Sequence, residues 1–122
     1  MNNQDFKEQL IQRAKKFSIN IWEFLDNLSK ESFSFLIIAK QLFRSATSIG
    51  ANIVEAQASS SKKDFINFLH HALKSANETK YWLELLLENS KTDNTEVAKL
   101  LKEARELANI LGSVILNLKG RK

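Results

Sequence analysis

The sequence predicts an all-α protein folded as an antiparallel, up-down-up-down four-helix bundle. Three observations lead to this prediction. The 122 residues include no proline and only three glycines, so few residues interrupt a helix. Apolar residues recur three and four positions apart along four long segments. These segments are similar in length and are joined by short polar turns, which places consecutive helices side by side and antiparallel. We therefore expect a single domain over residues 1–122.

Each predicted helix is bounded by polar residues. The four helices are predicted over residues 4–28, 32–58, about 62–88 and about 94–118. Ser61 followed three residues later by Asp64 resembles a capping box, and so does Asp93 followed by Glu96. Each pattern predicts that a helix begins there.

The fourth predicted helix has a wider apolar surface than the core of a single bundle requires. Leu100, Leu107 and Val114 lie beside its main apolar stripe. This excess either packs on another subunit or forms a broad core within the chain, and we favour the subunit contact. On the second helix, Ala46 and Gly50 lie four residues apart and would let a neighbouring helix approach closely.

A regular line of polar residues runs beside the apolar stripe of the second helix. Arg44, Ser48, Asn52 and Glu55 are spaced 4, 4 and 3 residues apart, so they share one helix face. A solvated face is normally more charged and less regular, and an apolar core would not need Asn52 and Glu55. The line therefore predicts polar partners on a neighbouring helix.

The third helix carries a matching polar line. Because the hairpin turns near residues 60–61, facing residues should have numbers that sum to roughly 122. This register places Arg44 near Glu78, Ser48 near Ser75, and Asn52 near His71. We interpret the two lines as partners that fix helix register, with a loss of about 3 kcal/mol on breaking the ion pair if it is deeply buried. The alternative is a ligand-binding or catalytic site made of Arg44, Asn52, Glu55 and Glu78.

The composition argues against several classes of chemistry. The chain has no cysteine, which excludes disulfides, thiolate metal sites and cysteine nucleophiles. His70 and His71 are adjacent, so their side chains diverge on a helix, and neither has a histidine or glutamate three or four residues away. We expect no metal, no cofactor and no enzymatic activity. The polar N-terminus and the short apolar runs also predict a cytoplasmic protein without a membrane contact.

The net charge of +4 is a mild basic excess that is spread along the chain. A basic protein is able to contact phosphate groups, although its lysines also serve simply as a solvated surface. The best candidates for phosphate contact are Lys62 and Lys63, because backbone N–H groups point outward at the start of a helix. The tail residues Lys119, Arg121 and Lys122 come next.

Several sequence blocks resemble one protein family in their order and spacing. The blocks are QLFRS at 41–45, SIGANIVEA at 48–56, KDFI at 63–66, ALKSANET at 72–79 and YWL at 81–83. They are similar to the bacterial four-helix bundle family whose founding members are encoded in intervening sequences of 23S ribosomal RNA genes. The family often has glycine where this chain has Ala56, a difference that concerns packing at the end of the helix.

The resemblance implies a homo-oligomer, with a pentamer as the best single expectation, and no enzymatic activity. It also implies a likeness to the accessory protein of diversity-generating retroelements, which binds nucleic acid and a reverse transcriptase. Our first hypothesis is a non-enzymatic oligomer that binds RNA or a ribonucleoprotein through lysine and arginine side chains. The alternative is a protein-interaction scaffold with no role in nucleic-acid binding. A third hypothesis places a small-molecule or hydrolytic site at Asn52, Glu55 and Glu78.

Overall fold

The computed structural model describes residues 3–28, 32–89 and 94–120. It contains the four predicted helices, and the sequence-based bounds differ from the observed ones by no more than two residues. The helices are α1 (Asn3–Asp26), α2 (Phe33–Gln57), α3 (Lys62–Glu88) and α4 (Asn94–Lys119). Three predictions lie outside the described residues, namely the capping residue Asp93 and the basic tail residues Arg121 and Lys122.

The four helices form a bundle in which each helix packs against two others. α2 packs against α1 and α3, and α4 packs against α3 and α1, which closes the ring of helices. The two central contacts, of α3 with α2 and with α4, are more extensive than the contacts of α1. The predicted all-α four-helix bundle is confirmed.

Serine side chains define the starts of α2 and α3. Ser32 Oγ accepts a hydrogen bond from the backbone N–H of Phe35 at 3.0 Å, and Ser61 Oγ accepts one from Asp64 at 3.1 Å. Each bond satisfies a backbone donor that the first turn of a helix leaves without a partner. The Asp64 carboxylate accepts a further hydrogen bond from Ser60 Oγ at 2.9 Å. The predicted cap at Ser61 is therefore confirmed.

The extra apolar residues of α4 belong to the core of the chain. Leu107 is fully buried and Leu100 is 4% exposed, while Val114 is half-buried against the same core. Our expectation that these residues pack on another subunit is wrong for Leu100 and Leu107, because the core of the chain itself covers them. α4 faces both α3 and α1, so it needs apolar side chains over a wide arc.

Gly50 serves a contact within the chain. A Cβ atom placed on Gly50 would lie 3.5 Å from the Cβ of Ala14, so the helix that approaches here is α1. Ala14 and Ala46 are themselves fully buried. The α1–α2 contact explains Gly50, and Ala46 lies in the core of the chain, so neither residue gives separate support for a contact between subunits.

An ion pair that the sequence analysis did not predict ties α1 to α4. Arg13 Nε donates to one oxygen of Glu103 at 2.6 Å and Arg13 Nη2 donates to the other at 2.7 Å. Glu106 lies 3.4 Å from the same guanidinium. The hydrogen bonds to Glu103 raise the pKa of Arg13, although its partial burial acts in the opposite direction. Such a contact with two hydrogen bonds fixes the relative position of the two helices and also stabilises the opposite charges.

Candidate functional site

The Arg44–Glu78 ion pair joins the exposed edges of α2 and α3. Arg44 Nη2 donates to Glu78 Oε2, and the same guanidinium donates to Gln41 Oε1 at 3.1 and 3.2 Å. Trp82 Nε1 donates to Glu78 Oε2 at 3.0 Å. The predicted pair is confirmed. Its side chains are 60% and 35% exposed, so the pair is not deeply buried.

Hydroxyl groups continue the polar contact toward the interior. Ser75 Oγ donates to Ser48 Oγ at 2.9 Å, as the predicted register required. One turn closer to the Arg44–Glu78 pair, Thr79 Oγ1 donates to Ser45 Oγ at 2.9 Å, and Ser45 Oγ donates to the Leu42 carbonyl at 3.2 Å. Ser45 and Thr79 are buried and were not in the predicted polar lines.

Three members of the predicted polar lines, namely Asn52, His71 and Glu55, have no hydrogen bond across the hairpin. Asn52 Nδ2 donates within its own helix, to the Ser48 carbonyl at 2.9 Å and to Ser48 Oγ at 3.0 Å. The predicted polar partner across the hairpin is not found: no hydrogen bond joins Asn52 to His71, which is exposed, with its ring against Phe68 at 6.4 Å between centroids. Glu55 is exposed near the end of α2. The structure therefore does not bring Asn52, Glu55 and Glu78 together as a site.

The α2–α3 polar seam, defined here by Arg44, Ser45, Ser48, Ser75, Glu78 and Thr79, has the properties of a structural contact. Every fully buried side-chain nitrogen or oxygen in the described part of the chain has a hydrogen-bond partner. Among the described residues, no three histidine, cysteine, aspartate or glutamate side chains come close enough to hold a metal ion. The geometry supports the interpretation that the seam fixes the register of α2 on α3.

The exposure of the Arg44–Glu78 pair predicts a modest contribution to stability. We expect Arg44→Ala to lower the free energy of unfolding by about 1 kcal/mol or less, as is usual for exposed pairs. Glu78→Ala should cost more than Arg44→Ala, because Trp82 Nε1 also loses its acceptor. Urea unfolding of both single variants and the double variant measures the coupling. A coupling well above 1 kcal/mol would mean that the pair is buried, and strict additivity would mean that it contributes nothing.

Three of the predicted basic residues, Lys62, Lys63 and Lys119, lie at one end of the bundle, where α1 and α3 begin and α2 and α4 end. A cavity of about 360 Å³ at this end is lined by both Lys62 of α3 and Leu118 of α4. Lys63 and Lys119 follow these residues directly in the sequence and are exposed. The structure adds Lys7 of α1, which lines the same cavity. We refer to Lys7, Lys62, Lys63 and Lys119 as the basic end.

The opposite end of the bundle has the reverse charge at its cavity. That cavity, of about 400 Å³, is lined by Glu23 of α1 and Glu96 of α4 together with asparagine and apolar side chains. The lining residues that the structure describes there include no lysine or arginine. The charged side chains that line the two cavities are therefore lysines at the basic end and glutamates at the opposite end.

A shallow apolar groove runs between α1 and α2. Its lining includes Ile19, Trp22, Phe43 and Val54, each of which is between 36% and 57% exposed. The rings of Trp22 and Phe43 contact each other with centroids 5.9 Å apart, so they form one continuous surface. Exposed apolar side chains that adjoin one another, rather than lying singly, are typical of an interaction surface. We call this surface the α1–α2 groove.

None of the helices in the described chain combines the length and the apolar character that crossing a membrane requires.

Comparison with known proteins identifies the family. The model of the 23S rRNA-intervening sequence protein family matches residues 7–113. A crystal structure of a protein with unknown function from the S23 ribosomal protein family of Bacteroides thetaiotaomicron VPI-5482 is 39% identical. The match covers 87% of this chain and 97% of that chain, with a TM-score of 0.76. The comparison with curated proteins gave no match. Neither matching description names an enzymatic activity, and the chain belongs to the 23S rRNA-intervening sequence protein family.

Proposed function

We propose that this protein is a non-enzymatic homo-oligomer that binds RNA, alone or in a ribonucleoprotein, through its basic end. The observation that carries the proposal is the gathering of Lys7, Lys62, Lys63 and Lys119 from three helices at one end of the bundle. Family membership makes ribosomal RNA the first RNA to test, because the family description refers to 23S rRNA.

Electrostatics supplies the physical basis. Lysine side chains that neutralise phosphates release condensed counterions, so binding of this kind is strong at low salt and tolerant of sequence. One subunit carries a net charge of only +4, but a pentamer would carry about +20, five times that value. Assembly would therefore convert a mild excess into a surface that attracts RNA.

The α1–α2 groove is the surface through which we propose that subunits assemble. Its side chains come from two helices and present aromatic and aliphatic groups without an ionised residue except Lys15. Interface cores are depleted in charge and enriched in aromatic side chains, which matches this composition. A pentamer remains the best single expectation for the assembly.

The α1–α2 groove also supports a second candidate function, a scaffold that binds another protein and no nucleic acid. In that case an amphipathic helix of the partner would occupy the groove, and the lysines of the basic end would only maintain solubility. The two candidates differ in one measurable property, which is affinity for RNA.

Titration of labelled, structured 23S rRNA fragments at low and moderate salt tests the proposal. We expect affinity to fall steeply with salt for the wild type. The variant Lys62→Glu/Lys63→Glu should bind more weakly. Its salt slope should fall by about one for each phosphate group that the variant no longer neutralises.

The matched control is Lys99→Glu/Lys102→Glu, which reverses two exposed lysines of α4 away from the basic end. Both double variants change the net charge by the same amount, so a general charge effect would weaken both equally. Equal weakening, or no binding by the wild type at low salt, would contradict the proposal and favour the scaffold.

A further inference from the structure

The cavity at the basic end has a second property that RNA binding does not use. It opens between the ends of all four helices, and its volume of about 360 Å³ lies within the roughly 300–1,000 Å³ range of small-molecule sites. It lies at the smaller end of that range, which limits a ligand to a short chain or a single ring system.

The interior of the cavity is apolar and reaches the protein core. Leu10, Ile53 and Leu69 line it, and each is at least 93% buried and belongs to the core. The half-buried side chains of Val114 and Leu118 continue the lining toward the mouth. None of these five side chains offers a hydrogen bond. An apolar group placed here would be removed from water without losing polar partners.

The polar groups of the cavity are cationic or amide groups. Lys7 Nζ lies 5.0 Å from the centroid of the Phe65 ring, so a cation–π contact holds one ammonium group at this cavity. Lys62 lines the cavity from the start of α3, and Gln57 and Asn117 contribute amide groups. Gln57 Nε2 already donates to the Ile53 carbonyl at 2.9 Å, which orients that amide.

We propose that this cavity binds a small apolar carboxylate, with the hydrocarbon part against Leu10, Ile53 and Leu69 and the carboxylate beside Lys7 and Lys62. Charge and shape both favour this occupant. A neutral hydrocarbon would gain nothing from the two ammonium groups. A nucleobase would leave its hydrogen-bonding edges unpaired against the aliphatic interior, which is costly. The inference goes beyond RNA binding and does not depend on it.

Isothermal titration calorimetry with butanoate, hexanoate and octanoate tests the site, with 1-octanol as the neutral counterpart of octanoate. We expect one saturable site per chain, and an affinity that rises about fourfold for each added methylene until the cavity is full. Octanoate should bind more tightly than 1-octanol, and added salt should reduce that difference.

Two kinds of variant locate the site. Val114→Phe places a larger side chain in the cavity and should abolish binding of both octanoate and 1-octanol. The same change at Val54, in the α1–α2 groove, should leave binding unchanged. Lys7→Met and Lys62→Met should each weaken octanoate about two- to fivefold without affecting 1-octanol. Lys99→Met, far from the cavity, is the control for loss of one charge.

The possible results separate clearly. Absence of saturable octanoate binding, binding that survives Val114→Phe, or binding lost in Val54→Phe would each overturn the proposal. The lysine variants leave the apolar interior of the cavity intact, so they keep the test decisive if Val114→Phe disturbs folding. RNA titration of Val114→Phe keeps the two functions distinguishable, since that variant retains all four lysines of the basic end and should bind RNA as the wild type does.

Discussion

Replacing Leu107 with alanine should lower the free energy of unfolding by about 3 kcal/mol. Leu107 is fully buried on α4, and removal of a buried leucine costs the transfer energy of the deleted methyl and methylene groups plus a term for the cavity left behind. The side chain faces the core that α4 shares with α1 and α3. If Leu107 packed on another subunit instead, its replacement would weaken assembly more than it lowers the free energy of unfolding.

Leu116 supplies the matched control. It lies on the same helix and undergoes the same chemical change to alanine, but 73% of it is exposed, so we expect an effect within about 0.5 kcal/mol. Urea unfolding followed by circular dichroism, at two protein concentrations, measures both variants. A small effect of Leu107→Ala, or a loss of assembled mass with folding unchanged, would contradict the assignment of Leu107 to the core within the chain.

The contacts between α2 and α3 were predictable because a short turn joins these helices. The turn fixes which residues face each other, and the rule that facing numbers sum to about 122 located both Arg44–Glu78 and Ser48–Ser75. The Ser45–Thr79 contact obeys the same rule, but Thr79 stands at helical spacing from the apolar residues Ala76 and Leu83, so it is outside the polar line of α3. The sequence signal for this hydrogen bond was a hydroxyl side chain at an otherwise apolar position of the helix.

The failed prediction for Asn52 has a physical cause. A side-chain amide is long enough to reach the carbonyl of the residue four positions earlier, so Asn52 satisfies its donor on Ser48 without help from α3. Matching polar lines therefore locate possible partners but do not show that a partner is needed. His71, without a hydrogen-bond role in this contact, lies exposed against Phe68.

The contact of α1 with α4 could not be predicted in the same way. These helices are the first and last in the chain, so no turn sets their register, and Arg13 is 90 residues from Glu103 in the sequence. The available signal was a charged residue within the apolar stripe of α1. A charged residue beside an apolar core is stabilised by an opposite charge nearby, but the sequence does not say on which helix that charge lies. The place of Lys7 in the basic end could not be predicted for the same reason, because Lys7 lies near Lys62 only once α1 packs in the bundle.

The proposed assembly through the α1–α2 groove predicts that Phe43→Glu dissociates the protein. Phe43 contacts Trp22 and is 36% exposed, so a glutamate there points into the groove without disturbing the fully buried core. An ionised carboxylate enclosed in an apolar interface without a partner costs several kcal/mol at every contact between subunits. Native mass spectrometry and sedimentation should show a wild-type assembly, near 70 kDa for a pentamer of 14.0 kDa chains, and a monomeric variant.

Leu116→Glu is the control for this change. It also converts an exposed apolar side chain to glutamate, but on α4, outside the residues that line the α1–α2 groove. We expect Leu116→Glu to keep the wild-type mass, and both variants to keep the helical circular dichroism spectrum of the wild type. A wild-type monomer at micromolar concentration would contradict assembly itself. A Phe43→Glu variant that keeps its mass, while Leu116→Glu dissociates, would instead move the interface to the exposed face of α4.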